Sequence, residues 1–397
     1  MRILRSAHAP VKMRIRIQNA RIVDARGERT GDVVVEDSLF SGDMSSACDR
    51  VVSANGLVLM PALIDTHCHL RDPGWPEKET MESGMHAALK GGYGTLCAMA
   101  NTKPVCETAQ QVVRNLEKSK ELKLCRLIQA AAAGIDLSDT ISTDYASLSK
   151  VTRIISNDGK TIQSDAFMEQ LLLASQQYGF LVSTHCQPER ATVRRDLALL
   201  RRTAGHLHVG HISCRETVAM IREAKASGLP VTCEVMPHHL FGWDNPYKVN
   251  PPMRTKDDAM ALLEGICDGT VDCLATDHAP HTAADKAGGA AGISNIEHAL
   301  AIFWKVFYDN GIPLTKLSEL TAYHPARLLN TGSGLIASGE PADCILFDPN
   351  EEWRIRKDQM ISRSNNTPFD GRMVRGRVYK TIIGGEIRYE YDGSTGA

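Results

Sequence analysis

The chain of 397 residues carries 45 Lys and Arg against 47 Asp and Glu, and 43% of its residues are hydrophobic. This composition predicts a globular protein with a large core, and a formal net charge of −2 gives no overall field favouring nucleic acid or an anionic membrane. No run approaches about 18 apolar residues, and the first dozen residues lack the apolar core of a secretion signal. We therefore expect a cytoplasmic protein, and its eleven cysteines, none in a CxxC pair, fit a reducing compartment.

Short β segments are predicted at both ends of the chain. Residues 13–22 alternate in hydrophobicity and residues 31–35 continue the pattern, while residues 341–347 and 374–389 show similar strands with Gly turns. We expect these segments to pair in a small satellite β domain of residues 13–60 plus 335–392. The sequence leaves open whether residues 1–12 belong to it, because Met13 equally suits the start of the first strand.

Between the two ends, eight short apolar runs alternate with amphipathic segments. The runs are mostly continuous, which is typical of parallel strands buried on both faces. The clearest helix is predicted to begin at Ser213, with Glu216 completing a capping box, and to end at Gly228. The segment 135–150 is irregular, so the third helix is the weakest element. The runs cover residues 57–64, 95–99, 126–132, 151–155, 180–183, 206–209, 230–235 and 273–276.

This alternation predicts an α/β fold, a (β/α)₈ TIM-type barrel of residues 61–334. An open doubly wound sheet usually has fewer strands and a Gly-rich phosphate turn, and no GxGxxG follows any of the runs.

Residues that can bind a metal follow several runs, at the strand ends where a barrel builds its active site. A single His beside a strand is usually structural, but six such residues at one rim are not expected by chance. His208 lies within its run and is interpreted as a packing residue, whereas His238 and His239 stay ambiguous. The six candidates are His67, His69, Asp158, His185, His211 and Asp277.

The type and spacing of these candidates indicate metal-assisted hydrolysis. His67 and His69 leave the same face of an extended chain, with Cys68 turned away. The set suits Zn²⁺, or less specifically Mn²⁺ or Co²⁺, and exceeds the needs of one tetrahedral ion, which suggests one or two ions. A metal-bound hydroxide would attack the substrate, and Asp277 would carry its proton to a leaving nitrogen.

Four segments resemble the dihydroorotase signatures of the amidohydrolase superfamily, namely residues 65–74 (DTHCHLRDPG), 100–104 (ANTKP), 250–254 (NPPMR) and 276–281 (TDHAPH). The resemblance runs from about residue 56 to residue 281, and weaker similarity continues through residues 323–326, 339–343 and 366–369.

The resemblance implies the same six metal positions, with Asp277 also as the proton carrier. It further implies that Arg71, Asn101 and His281 hold the substrate carboxylate and that Asn250 lies in the pyrimidine pocket. Ordinary structural roles remain as alternatives: a surface ion pair for Arg71, and turn formation before a proline for Asn101 and Asn250.

Two departures from the family pattern affect this interpretation. One branch of the family carries a carboxylated lysine after the fourth strand, and another carries Asp-Asp-Gly. Here residues 156–160 read SNDGK, so we expect Asp158 to be the ligand and Lys160 to be solvated. The Gly- and Ala-rich segment 282–295 lacks the usual Pro-Phe, and we interpret it as a mobile loop over the site.

The function expected from this resemblance is reversible cyclisation of N-carbamoyl-L-aspartate to L-dihydroorotate in pyrimidine biosynthesis. The alternatives are another cyclic amidase (a dihydropyrimidinase, hydantoinase or allantoinase) and a non-catalytic scaffold of aspartate transcarbamoylase. Arg71 favours the first over the other amidases, and the complete ligand set opposes the scaffold. We expect a small-molecule substrate and no nucleic acid or membrane partner, while a homo-oligomer and an association with aspartate transcarbamoylase stay open.

Overall fold

The protein is described here by a computed structural model, which covers residues 14–332 and 334–393. Met13, the predicted start of the first strand, lies outside the described residues, as do residues 1–12. The strands are β1 (Ile15–Asp24), β2 (Gly27–Glu36), β3 (Leu39–Ser41), β4 (Arg50–Ser53), β5 (Val58–Pro61), β6 (Leu63–Cys68), β7 (Tyr93–Ala98), β8 (Arg126–Gln129), β9 (Ile154–Ser156), β10 (Leu181–Thr184), β11 (Leu207–Val209), β12 (Val231–Val235), β13 (Cys273–Leu274), β14 (Cys344–Arg354), β15 (Met373–Ile383) and β16 (Glu386–Glu390).

The helices connect these strands. They are α1 (Met81–Lys90), α2 (Ala109–Leu122), α3 (Tyr145–Leu148), α4 (Asp165–Tyr178), α5 (Glu189–Thr203), α6 (Arg215–Ala226), α7 (Pro237–Phe241), α8 (Lys256–Cys267), α9 (Ala283–Ala287), α10 (Ala299–Asp309), α11 (Leu314–Ser318) and α12 (His324–Leu329), with a π-helical turn (Glu319–Tyr323) before α12 and 3₁₀ turns at Ile135–Leu137 and Lys357–Gln359. Among the described residues, no helix has the length and apolar character needed to cross a membrane.

The terminal segments form one mixed sheet, as the alternating patterns predicted. Its strand order is β16-β15-β14-β5-β1-β2-β3, and β4 pairs with β1. The N-terminal and C-terminal segments meet in the middle of this sheet, where β5 pairs antiparallel with β14 and parallel with β1. The predicted domain boundaries at residues 60 and 335 stay a prediction.

Eight parallel strands form the barrel, which confirms the predicted fold class. β6, β7 and β8 make one sheet and β9 to β13 make a second. A parallel bridge between Ala131 and Ile155 joins β8 to β9, and a bridge between Cys68 and His278 joins the end of β6 to the chain after β13. The strands therefore close into a ring, which brings their carboxyl ends to one rim.

The barrel and the terminal sheet share buried contacts. Phe347 and Val378 of the sheet belong to the same apolar cluster as Tyr93 of β7. Arg126 of the barrel donates from Nε to Oδ2 of Asp343 at 2.6 Å, and the Asp343 carbonyl accepts the amide of Ala62 at 3.0 Å. These contacts hold the terminal sheet against the amino-terminal side of β8.

Two details differ from the sequence-based expectations. The predicted capping box at Ser213 is wrong: α6 begins at Arg215 after Cys214, because the Ser213 hydroxyl donates to the buried carboxylate of Glu189 instead. The run 57–64 is two strands, since β5 joins the terminal sheet and β6 the barrel. The expected irregularity of the third helix is confirmed by the four-residue α3.

Candidate functional site

A cavity of about 160 Å³ opens at the carboxyl rim of the barrel. Nine of the ten predicted site residues line it, and the tenth, His67, is buried next to Asp158. Gly159, Ala279, Ala291 and Gly292 complete the wall. The predicted site residues in the wall are His69, Arg71, Asn101, Asp158, His185, His211, Asn250, Asp277 and His281.

Three of these residues have a left-handed backbone directly after a strand. The φ angles are +57° at Arg71, +34° at His211 and +46° at Asp277. A side chain with a Cβ atom adopts this region at a cost of about 1–3 kcal/mol, and such residues concentrate at functional sites. Each one turns the chain sharply at the rim.

Asp158 stands at the centre of two groups of candidate ligands. Its Oδ1 lies 3.2 Å from His67 Nε2 and 3.3 Å from His211 Nε2, and its Oδ2 lies 3.3 Å from His69 Nε2. His185 Nδ1 is 3.5 Å from Oδ1. Within each group the ligand atoms lie within 4.8 Å of one another, and Asp158 is the member that both groups share.

The electrostatics of Asp158 reflect these neighbours. Burial alone would raise the pKa of its carboxyl, but His67, His185 and His211 outweigh burial and hold the pKa well below its usual value. Its Oδ1 lies near histidines of both groups, and its Oδ2 lies near His69, so this one carboxylate could serve both candidate metal positions.

Asp277 completes the cluster from the chain after β13. Its Oδ1 lies 3.1 Å from His69 Nε2 and 3.9 Å from His67 Nε2. Burial raises the pKa of Asp277, but hydrogen bonding from His69 and the nearby histidines lower it to about 2. The carboxylate is therefore ionised at neutral pH and can accept a proton.

The donor atoms fit divalent metal ions. His67 Nε2 is buried and lies 3.2 Å from Asp158 Oδ1, but it makes no hydrogen bond of acceptable geometry with a described residue, which suits a nitrogen that binds a metal. Imidazoles and carboxylates are typical ligands of Zn²⁺, Mn²⁺ and Co²⁺. The cluster offers four imidazoles and two carboxylates, whereas a single tetrahedral ion needs four ligands.

Glu234 and Asn101 each contact a ring nitrogen of a candidate ligand. Glu234 of β12 lies 2.7 Å from His67 Nδ1 and 3.1 Å from His208 Nε2, and Asn101 Oδ1 lies 2.8 Å from His69 Nδ1. Such contacts fix the tautomer and the ring plane of a metal-binding histidine. Sequence reasoning missed Glu234; the available signal was a single carboxylate within the apolar run of β12.

Three other buried histidines lie near the candidate ligands. His208, predicted to be a packing residue, is buried within β11 and contacts Thr232 as well as Glu234. His238 and His239 are buried beside the cluster but belong to neither ligand group. Cys68 donates from Sγ to the Cys97 carbonyl at 3.4 Å, away from the ligands.

Arg71 and His281 form a pair on the other side of the cavity. Arg71 Nη2 lies 3.2 Å from His281 Nε2, and Arg71 Nε donates to the Pro280 carbonyl at 3.1 Å. Burial lowers the pKa of Arg71 to about 10, so the guanidinium keeps its charge at neutral pH. Burial and the neighbouring Arg71 lower the pKa of His281 to about 4, so the imidazole is neutral and accepts at Nε2. Arg71 is thus a buried cation rather than part of a surface ion pair.

After β9, Asn157 and Lys160 contact other parts of the chain, whereas Asp158 faces the cavity. Lys160 is exposed and donates to the Asp136 carbonyl at 3.1 Å, outside the cavity wall. Asn157 Oδ1 accepts the amides of Ala133 and Gly134 at 2.9 and 3.1 Å. The strand end therefore presents Asp158 to the cavity and uses Asn157 to hold the adjacent loop.

The predicted loop over the site, residues 282–295, begins with α9 and then supplies Ala291 and Gly292 to the cavity wall. Its position over the site agrees with the prediction, and its mobility stays a prediction. Asn250, on the neighbouring loop, has Nδ2 at 3.4 Å from His185 Nε2.

Comparisons with known proteins agree with this geometry. The amidohydrolase family model matches residues 58–388. A dihydroorotase of Clostridium botulinum is 35% identical, with 95% of this chain and all of the relative aligned. A dihydroorotase of Deinococcus radiodurans is 34% identical over 95% of this chain and 99% of the relative.

Among solved structures, an L-hydantoinase (dihydropyrimidinase) of Arthrobacter aurescens superposes with a TM-score of 0.86 at 22% identity, covering 94% of this chain and 95% of that one. A dihydropyrimidinase of Brevibacillus agri gives a TM-score of 0.83 at 21% identity, with coverage of 94% and 95%. These likenesses concern the fold. The family model and the full-length relatives show that this chain belongs to the amidohydrolase family, as a metal-dependent cyclic amidohydrolase.

Proposed function

We propose that this enzyme interconverts N-carbamoyl-L-aspartate and L-dihydroorotate, the cyclisation step of pyrimidine biosynthesis. The observation that carries the proposal is the buried cation of Arg71 in the wall of the same cavity as the two ligand groups. A cyclic amide that bears a carboxylate, as dihydroorotate does, can pair with this charge, whereas an uncharged ring offers the buried guanidinium no anionic partner.

The carboxylate would be held by three donors. The guanidinium of Arg71 offers a planar pair of N–H groups, and His281, which accepts at Nε2, has Nδ1–H left to donate. Asn101 accepts from His69 through Oδ1, which leaves its Nδ2 amide free to donate. Gly159 leaves room for that amide, because a Cβ atom there would lie 2.9 Å from Asn101 Nδ2.

The ligand groups would hold one or two divalent cations, with Zn²⁺ as the first candidate and Mn²⁺ or Co²⁺ as alternatives. Bound there, the ions would polarise the ring amide carbonyl and lower the pKa of a water molecule near it. His67, His69, Asp158 and Asp277 would hold one ion, and Asp158, His185 and His211 the second.

Asp277 would move the proton. Its ionised carboxylate takes a proton from the attacking water and delivers it to the ring nitrogen as the amide bond breaks. In the reverse direction the same carboxylate removes a proton from the carbamoyl nitrogen as the ring closes. Asn250, beside His185, would contact the ring on the side away from Arg71.

The test compares substrates on the metal-loaded protein. We expect kcat/KM for L-dihydroorotate to exceed that for dihydrouracil, hydantoin or allantoin by tenfold or more, since a charge-assisted pair contributes about 1.5–3 kcal/mol. A preference for dihydrouracil or hydantoin would support the function of the structural neighbours instead. A cytoplasmic location and an association with itself or with aspartate transcarbamoylase stay predictions.

A further inference from the structure

The segment 282–295 is anchored to the protein before it reaches the cavity. Thr282 and Asp285 form a capping box at the start of α9, with Thr282 Oγ1 donating to Asp285 Oδ2 at 2.7 Å. Lys78 Nζ lies 3.2 Å from Asp285 Oδ1. These contacts hold the first turn, but they lie six or more residues before Ala291 and Gly292, the positions that face the cavity.

Lys286 fixes the remainder of the segment through its ammonium group. Nζ donates to the carbonyl of Ala290 at 2.8 Å, of Gly292 at 3.0 Å and of Lys248 at 2.9 Å. It also lies 4.1 Å from the centroid of the Tyr247 ring. A lysine ammonium has three N–H groups, so all of them are used, and the aromatic face covers the charge from another direction. We call this arrangement the lysine clasp.

The lysine clasp joins two walls of the cavity. Gly292 lines the cavity, and Lys248 lies two residues before the cavity-lining Asn250. The Gly292 amide also donates to the Lys248 carbonyl at 3.2 Å. The Gly292 backbone is close-packed, since a Cβ atom there would lie 2.6 Å from the Ala279 carbonyl oxygen. The ammonium is the side-chain group that holds both walls at once.

We propose that Lys286 is a positioning residue that keeps the segment 282–295 and the Asn250 loop together across the cavity mouth. Its ammonium group binds carbonyls of both walls and adds to the backbone hydrogen bond between Gly292 and Lys248. If the two walls are already held together before the substrate binds, less conformational entropy is lost on binding. The identity of the substrate rests on the proposed function, whereas the clasp itself rests on the contacts of Lys286.

The test replaces Lys286 with Met, which keeps the length of the side chain and removes its charge and donors. Lys248→Met is the control, because the Lys248 side chain is exposed and makes none of the hydrogen bonds of the clasp. Burial, and repulsion from the Lys248 charge, lower the pKa of Lys286, so removal of that charge should not loosen the clasp. Hydrogen exchange of the metal-loaded proteins without substrate is the first readout. We expect the amides of residues 288–292 to exchange roughly tenfold faster in Lys286→Met than in the wild type or the control.

Steady-state kinetics on L-dihydroorotate are the second readout. We expect KM to rise roughly tenfold in Lys286→Met with a smaller change in kcat, since the ligands and Asp277 are untouched. Unchanged exchange in Lys286→Met, or equal acceleration in Lys248→Met, would overturn the clasp. Faster exchange with an unchanged KM would overturn the positioning role. If the wild type does not act on dihydroorotate, the proposed function fails, and the exchange measurement still decides the clasp.

Discussion

Burial affects the carboxylates of this protein differently according to their immediate neighbours. Asp65 and Asp277 are both buried at the barrel rim. Asp65 accepts hydrogen bonds from Thr276 and from the amide of His67, and burial still raises its pKa to about 7. Asp277 faces the rings of His69 and His67, and its pKa is lowered to about 2. Nearby imidazoles therefore determine which of the two carboxylates is the stronger candidate for an ionised base.

The substitution Asp277→Asn tests this residue. The amide has the same shape but cannot carry a proton, so we expect turnover of dihydroorotate to fall by about 10²–10⁴-fold, with further loss if metal binding weakens. Circular dichroism should show an unchanged fold. Asp257→Asn, at an exposed position on α8, is the control. Turnover of Asp277→Asn near that of the control would remove Asp277 from the mechanism.

At the level of elements, strand ends were the most predictable feature. Continuous apolar runs marked most of the barrel strands, and the candidate ligands lie within three residues of the strand ends, so the local pattern was enough to locate them. The boundary between β5 and β6 was not predictable, because both strands are apolar and only the tertiary fold assigns them to different sheets. The start of α6 was missed because a buried Glu189, distant in sequence, binds the Ser213 hydroxyl.

The end of β9 provides a prediction about metal binding. Asp158 faces both groups of ligands, whereas Lys160 points to the Asp136 carbonyl. We expect purified Asp158→Ala to lose most of its bound metal and Lys160→Ala to keep it, as measured by elemental analysis after dialysis. The reverse result would mean that a modified Lys160 bridges the ions and that the strand end is arranged differently.

At the level of the whole molecule, the part of the chain between β14 and β15 returns to the barrel rim. Asn366 accepts the His281 amide at 3.0 Å and donates to the Gly292 carbonyl at 3.1 Å. Residue spacing could not predict this contact, because it depends on how the terminal sheet lies against the barrel. The candidate ligands could be found from the sequence, but their supporting contacts from distant segments could not.

One of these long-range contacts predicts how stability depends on pH. His298, just before α10, is buried against Phe369 and lies 3.4 Å from Thr367 Oγ1. Burial, with smaller effects of His278 and Lys90, lowers its pKa to about 3. The unfolded chain takes up a proton below about pH 6.5 and the folded chain does not, so acid favours unfolding.

Because of His298, we expect the free energy of unfolding to fall by about 1.4 kcal/mol for each unit by which the pH decreases between about pH 6 and pH 4. His298→Gln should lack this contribution, so its stability relative to the wild type should improve as the pH falls. Urea unfolding of both proteins at pH 7, 6 and 5 measures the difference. A difference that stays constant with pH would show that folding does not change the pKa of His298.

The central claim is that Arg71 directs the metal-dependent cyclic amidohydrolase site to a ring carboxylate. The most direct measurement is kcat/KM for L-dihydroorotate and for dihydrouracil on the wild type and on Arg71→Met. We predict a loss of roughly ten- to a hundredfold for dihydroorotate and almost no change for dihydrouracil, which has the same ring amide without a carboxylate. Equal losses on both compounds, or a wild-type preference for dihydrouracil, would contradict the assignment of the substrate.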